Sequence, residues 1–120
     1  MKLCIPAEGT DLAAKVDTRL GRAGHFVVVD SESGEVLQTI PNKQNKQASA
    51  GAGVQAGQTI AGAGAEAVLC AHCGPKAFRV LQAAGLKVYT GATRTVGDAL
   101  RAFRNGELTE AQGADIEGHW

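Results

Sequence analysis

The chain has 120 residues, with twelve basic and twelve acidic side chains and a formal net charge of zero. That length suits a single domain with its own core, and the neutral balance argues against a general nucleic-acid binder, which is normally strongly basic. No apolar run reaches the roughly 18–20 residues of a membrane span, and the apolar run that follows Met1 is too short for a signal peptide. We therefore expect a cytoplasmic protein that binds neither nucleic acid nor membranes.

The first third of the chain predicts three strands. Residues 2–6 form a short apolar run that Pro6 is expected to end, and residues 7–24 are polar and punctuated by glycine, as in a long connection. Residues 25–30 are β-branched and aromatic, which is typical of a buried strand. A turn at 31–34 returns the chain along a strand at 35–40, so this part predicts an antiparallel hairpin.

The remainder alternates between helix and strand after a polar, mobile loop at 42–50. The predicted elements are a helix at 54–64, a strand at 67–71, a helix opened by Gly74 and Pro75 and closed by Gly85, a strand at 86–89, and a helix that Thr95 caps and Asn105 and Gly106 end. Two successive crossover units imply parallel strands. We expect one α/β domain over residues 1–106, followed by an acidic, flexible tail at 107–120.

Three cysteines in a chain without an export signal indicate thiols rather than a disulfide framework. Cys70 and Cys73 have the C-x-x-C spacing, with His72 between them, which suits metal binding or redox work. One such pair supplies too few ligands for structural zinc, and a thioredoxin-like role would need Cys70 to begin a helix rather than end a strand. A purely structural role for Cys70 and Cys73 therefore stays possible, in addition to metal binding and redox chemistry. Cys4 is expected to be a thiol in the hydrophobic core.

Gly51, Gly53 and Ala56 formally fit the loose G-x-G-x-x-A dinucleotide fingerprint, but the context does not. The preceding segment is a polar loop rather than a strand, and no acidic residue lies between Glu66 and Asp98. Two interpretations remain: a glycine-lined helix start that offers N–H groups to an anion, or tight helix packing.

The carboxyl ends of the predicted parallel strands share one edge, where open α/β sheets bind ligands. The loops at this edge are rich in cations, and residues 41–96 contain six basic side chains against one acid, Glu66. This pattern predicts a crevice that binds a compact polyanion. The alternative is that these side chains only form a solvated polar rim and bind no ligand. No nucleophile with an evident base is present, and only Glu8, Asp11 and Asp30 could serve a carboxylate-based metal site.

Several segments together resemble the nitrogenase iron–molybdenum cofactor biosynthesis and carrier family. They are the run from Val16 to Ala23 with the strand after it, the helix start at 50–53, the segment from Cys73 to Ala77, the stretch from Leu81 to Tyr89, and the helix from Thr95 to Leu100. The resemblance covers roughly residues 1–106. It implies a ribonuclease-H-like mixed five-stranded sheet of order 3-2-1-4-5, with strand 2 antiparallel and helices flanking the sheet.

The resemblance also implies a cargo. Family members bind or carry iron–molybdenum cofactor or its precursors, and similarity to small stand-alone members implies a mixed molybdenum–copper sulfide cluster held largely without classical protein ligation. It further implies a link to cell division through partner proteins. A carrier rather than an enzyme is therefore expected, with a metal-free protein–protein adaptor and a ribonuclease-H-like metal-dependent enzyme as alternatives.

The residues expected to surround this cluster combine cations, imidazoles and glycines, and Cys73 is expected to be the soft ligand for copper. They are Arg19, Arg22, His25, Lys43, Lys46, Gly51, Gly53, His72, Gly74, Lys76, Gly91 and Arg94. Many relatives place a histidine just before the glycines of the first helix, whereas this chain has Ser49 and Ala50 there. That departure leaves His25 and His72 as the nitrogen donors.

Overall fold

The computed structural model describes residues 1–42 and 52–112. Within them the strands are β1 (Lys2–Ala7), β2 (His25–Asp30), β3 (Val36–Pro41), β4 (Ala67–Leu69), β5 (Lys87–Thr90) and β6 (Thr109–Glu110). The helices are α1 (Ala52–Gly62), α2 (Pro75–Ala83) and α3 (Val96–Arg104), and a short 3-10 helix spans Leu20–Arg22. None of these helices is long and apolar enough to cross a membrane.

The strands form one mixed sheet in the order β3-β2-β1-β4-β5-β6. β1 runs parallel to β4, and β4 parallel to β5, while β2 is antiparallel to both β1 and β3. The predicted order of the first five strands and the antiparallel direction of the second are thus confirmed. The predicted count of five is wrong, because β6 pairs antiparallel with β5 and adds a sixth strand at the edge.

Apolar side chains cover both faces of the sheet, so the central strands are almost continuously buried, as expected for strands between two layers of helices. Phe26, Val68 and Val88 share one core cluster with residues of α1 and α2. Leu3, Val27 and Leu69 face the opposite side and pack with residues of α3. The molecule is therefore a three-layer arrangement with α1 and α2 on one face and α3 on the other.

The predicted elements exist, and their ends differ by one to three residues. Pro6 does not end β1, which continues to Ala7, and the carbonyl of Pro6 accepts a hydrogen bond from the backbone N–H of Asp17 at 2.9 Å. α1 starts at Ala52, within the helix start predicted at 50–53, and ends at Gly62, two residues earlier than the pattern predicts. Side-chain periodicity marks the buried face of a helix but not its last turn, which explains such shifts.

The connection between β1 and β2 has more regular structure than the sequence predicts. Val16 forms an isolated antiparallel bridge with Ala7, and Lys15 forms another with Thr95. The 3-10 helix then packs against α1 before the chain enters β2. This connection therefore ties the end of β1 to the start of α3 and to the helix layer on the other face.

The C-terminal segment, expected to be loose from residue 107, begins as part of the fold. Leu108 packs against the core cluster beneath α3, Thr109–Glu110 form β6, and the N–H of Ala111 donates to the carbonyl of Val88 at 2.8 Å. The segment has no hydrophobic alternation because a two-residue edge strand needs none. Residues 113–120, and residues 43–51 of the predicted polar loop, lie outside the described residues.

Candidate functional site

The carboxyl ends of β1, β3, β4 and β5 meet at one edge of the sheet, together with the first residue of the antiparallel β2, His25. The register fixes this geometry: Ala7 faces His25 across β1 and β2, and His25 faces Pro41 across β2 and β3. The strand ends therefore share the edge that the sequence predicts. The connections that leave it carry the described residues of the predicted site.

Arg19 and Arg22 flank the 3-10 helix on the α1 side of this edge. Arg19 precedes the helix and is exposed, and Arg22 ends it and is partly buried. Leu20, which lies between them, and Ala23, which follows Arg22, are buried in the same core cluster as Cys73. The buried neighbours thus anchor a short segment that carries two cations.

Sequence reasoning missed Asp17 as a site residue, although the V-D-T-R run contains it. Asp17 is 4% exposed and is the one buried charged side chain among the described residues. Its Oδ1 accepts a hydrogen bond from the backbone N–H of Arg19 at 3.0 Å and lies 3.4 Å from Arg19 Nε. A carboxylate two residues before an arginine is the signal that could have identified this pair.

His25 contributes the most unusual polar atom of the edge. Its Nδ1 is buried and has no hydrogen-bond partner within residues 1–42 and 52–112. Buried polar atoms are nearly always paired, and an unpaired one costs about 1–3 kcal/mol. The ring lies at the mouth of the sheet beside Ala7 and Pro41.

The segment from Cys70 to Gly74 does not present an exposed thiol pair. Cys70 and Cys73 are buried at 1% and 0% exposure, and their thiols donate to the carbonyls of Tyr89 (3.5 Å) and Gly74 (3.6 Å). None of the three cysteines forms a disulfide, and His72 is exposed, whereas Cys70 and Cys73 on either side of the Ala71-His72 pair are buried. In the described part of the chain no three His, Cys, Asp or Glu side chains come close enough to hold a metal ion.

The start of α2 offers positive potential at this edge. Gly74 is the N-cap, in an extended conformation, and no side chain caps the helix there. Pro75 takes the first position, the first turn contains no acidic residue, and Lys76 is exposed. Uncapped N–H groups and the helix dipole both favour a nearby anion.

The start of α3, by contrast, is closed by the protein itself. Thr95 and Asp98 form a capping box, and the N–H groups of Val96 and Gly97 donate to the carbonyls of Ala14 (2.8 Å) and Leu12 (2.9 Å). Hydrogen bonds from the hydroxyl and backbone N–H of Thr95 lower the pKa of Asp98, and Arg101 adds to this effect. Of these two helix starts, only that of α2 has no side-chain cap from its N-cap residue.

Gly91 and Arg94 lie on the connection between β5 and α3. Gly91 has a φ of +96° and donates its N–H to the carbonyl of Ala71 at 3.3 Å, which joins this connection to the Cys70–Gly74 segment. Arg94 is the one described residue other than glycine with a positive φ, +66°, and its side chain lines a shallow groove beside α3. The carbonyl of Arg94 accepts a hydrogen bond from the backbone N–H of Val16 at 2.8 Å, which joins this connection to the segment that leads into the 3-10 helix.

The other predicted site residues divide into two groups. Gly53 is buried in the first turn of α1. Lys43, Lys46 and Gly51 lie outside the described residues, as do Ser49 and Ala50.

The carboxylates named for an enzymatic alternative do not cluster. Asp30 ends β2 opposite Lys2, whereas Glu8 follows Ala7 at the other end of β1. Asp30 also serves its own turn, because the backbone N–H of Glu32 donates to it and lowers its pKa. A two-metal site built from Glu8, Asp11 and Asp30 is therefore excluded by the topology.

Known proteins resemble this chain over nearly its whole length. The family described as dinitrogenase iron-molybdenum cofactor matches residues 1–106. The apo form of the orange protein from Desulfovibrio gigas is 39% identical, covers 96% of both chains and superimposes with a TM-score of 0.90. A NifB-like protein of the DUF35 family from Thermotoga is 34% identical, covers 98% of both chains and has a TM-score of 0.80. An uncharacterized protein of Methanocaldococcus jannaschii is 28% identical over 109 residues, which is 90% of this chain and 89% of its own.

Proposed function

Because the chain belongs to the dinitrogenase iron-molybdenum cofactor family, we propose that it binds or carries an anionic metal–sulfide cluster at the carboxyl edge of its sheet. We further propose that this cargo is a molybdenum–copper sulfide cluster, on the strength of the 39% identity to the orange protein. The fold is interpreted as a ribonuclease-H-like sheet extended by β6. A cytoplasmic location and partner proteins linked to cell division stay predictions from the sequence.

The observation that carries the proposal is the start of α2, which has no side-chain cap from Gly74 and lies at the same sheet edge as the cations of the 3-10 helix. Gly74 leaves the first N–H groups of α2 without a side-chain cap, and Lys76, Arg19 and Arg22 add positive charge at the same sheet edge. Positive potential and N–H donors are what an anionic cluster needs from a protein. The Nδ1 of His25, which has no hydrogen-bond partner among the described residues, adds a nitrogen donor at this edge.

The residues present fit a cluster that brings its own ligands. A sulfide-bridged core already satisfies the coordination of its metals, so the protein has to supply charge, hydrogen bonds and shelter from water. The described residues contain no set of three metal-ligating side chains, which suits such a cargo and not a bare metal ion. Cys73, the predicted copper ligand, has no exposed surface. We therefore propose that it packs beneath the cluster site and does not bind copper.

Reconstitution tests the proposal directly. The apo-protein is mixed with tetrathiomolybdate and copper(I), desalted, and assayed for metal content and absorption. We expect stoichiometric molybdenum and copper and a new charge-transfer band. Absence of both would contradict cluster binding and would leave a metal-free adaptor as the better interpretation.

A charge-matched pair of variants tests the place of binding. Lys76→Glu puts a negative charge at the open start of α2, whereas Lys87→Glu does so at the first residue of β5, at the opposite edge. We expect Lys76→Glu to weaken cluster binding about tenfold at low salt, and Lys87→Glu to leave it nearly unchanged. Equal effects of the two variants would show that overall charge, not this edge, governs binding.

Cys73→Ser tests thiolate ligation. The hydroxyl can donate to Gly74 as the thiol does, so the local hydrogen bond is kept. We expect the variant to retain the molybdenum and copper content of the wild type after desalting. Complete loss of metal from a folded Cys73→Ser protein would instead establish Cys73 as a ligand.

A further inference from the structure

Asp17 is buried without being part of the hydrophobic core. Its backbone N–H donates to the carbonyl of Pro6 at 2.9 Å, which fixes it against the end of β1. Its carboxylate receives the backbone N–H and the Nε of Arg19. Burying a carboxylate is unfavourable unless it is paired, and here the pairing group is Arg19. Because Asp17 bonds to both the backbone and the side chain of Arg19, it restricts the conformation of that arginine.

Most N–H donors of the Arg19 guanidinium are not used by Asp17. A guanidinium has five N–H donors, and the contact with Asp17 engages it through Nε. No other side-chain hydrogen bond of Arg19 occurs within the described ranges, and its side chain is 54% exposed. The buried Asp17 thus holds Arg19 by Nε, while the two terminal nitrogens of Arg19 belong to an exposed side chain.

The anchoring distinguishes Arg19 from the other cations of the edge. Lys76 is exposed on a flexible stem, so ordering it around a ligand costs conformational entropy. A guanidinium that is already held loses less freedom on binding. Its planar terminal donors also match an anion that presents two acceptor atoms on one side.

We propose that Asp17 is a positioning residue for the cluster site, holding Arg19 by Nε so that its terminal N–H groups bind two sulfides on one edge of a thiometallate. This inference rests on the proposed function and extends it. It selects clusters with a terminal pair of sulfides on a metal, such as a tetrathiomolybdate unit, over a compact anion with a single acceptor.

A double-mutant cycle tests the inference. Apo-protein and its variants are titrated with tetrathiomolybdate and copper(I), and affinity is followed by the charge-transfer absorption. We expect Arg19→Ala to weaken binding about tenfold and Asp17→Asn by severalfold, the scale of a charge-assisted hydrogen bond. In the Arg19→Ala background, Asp17→Asn should cause no further loss, because Asp17 acts only through Arg19.

The pair Asp98 and Arg101 is the matched control. It is also a carboxylate–arginine contact, at 2.9 Å, but it lies on α3 on the other face of the sheet. Asp98→Asn and Arg101→Ala should leave the affinity unchanged. Urea unfolding of every variant separates lost binding from lost structure.

Two results would overturn the inference. Independent losses that multiply in the double variant would show that Asp17 does not act through Arg19. Should Asp17→Asn not fold, Arg19→Lys decides: it keeps the charge without the planar donors, so wild-type affinity in this variant would also overturn the inference. A wild-type protein that binds no cluster at all overturns the proposed function, and this inference with it.

Discussion

Burial raises the pKa of the Cys4 thiol above its ordinary value of 9.0, because the side chain has no exposed surface and a thiolate there would lose its hydration. The folded chain therefore keeps this proton at pH values where the unfolded chain releases it. The resulting contribution to stability is fully present below about pH 9 and is lost as the pH rises further. We expect the free energy of unfolding to fall by up to about 1.4 kcal/mol per pH unit in that range.

Urea unfolding between pH 7 and pH 10.5 measures this dependence, and Cys4→Ala is its control. The variant should be less stable at pH 7, because it leaves a small void, but its stability should decline less steeply above pH 9. Equal slopes for wild type and variant would assign the alkaline loss to other groups.

At the same scale, the sequence predicts where the elements around the candidate site begin better than it predicts where their side chains point. Gly74 before Pro75 predicts a helix start from residue types alone, and α2 begins at Pro75. The spacing of Cys70 and Cys73 does not reveal that both thiols point into the core. The role of Asp17 also depends on a backbone path from β1 that no local pattern encodes.

At the scale of elements, apolar runs, turn residues and capping signals predict the first five strands and the three helices, including β3, which has no buried residue. β6 could not be predicted, since Thr109 and Glu110 are both exposed and pair only through the backbone. Nor does the sequence show that the N–H groups at the start of α3 bond to residues 12 and 14, because those partners are far along the chain.

The contact between α1 and α2 depends on Gly57. A Cβ at this position would lie 2.8 Å from Val80 Cγ1 and 3.0 Å from Val80 Cβ. Alanine favours a helix by about 1 kcal/mol over glycine, but the β-branched Val80 cannot turn away easily. We expect overpacking to prevail and Gly57→Ala to lower the free energy of unfolding by about 1 kcal/mol.

Gly62→Ala is the control for this prediction, because Gly62 belongs to the same helix and a Cβ there meets no atom within 4 Å. That variant should be as stable as the wild type or slightly more stable in urea unfolding. If Gly57→Ala left the free energy of unfolding unchanged, the prediction would be wrong. In that case α1 and α2 could move apart enough to accommodate the added methyl group.

At the scale of the whole molecule, the zero net charge conceals an uneven distribution. Residues 1–106 contain all twelve basic side chains and eight of the acids, a formal charge of +4, and the other four acids follow in 107–120. A basic body suits an anionic cargo, and the surplus lies in residues 41–96, which contain six basic side chains against one acid. Charge sign alone does not locate a site, which is why the opposed Lys76 and Lys87 variants are needed.

The folded unit reaches further along the chain than the family match does. The family match ends at residue 106, yet Leu108 packs against the core and Ala111 bonds to Val88. A chain that ends at residue 106 loses these contacts and exposes the edge of β5, so we expect it to lose about 2 kcal/mol of unfolding free energy. A chain that ends at residue 112 keeps them and should unfold at the same urea concentration as the full chain. Equal stability of both truncated chains would place the boundary at residue 106 and make β6 dispensable.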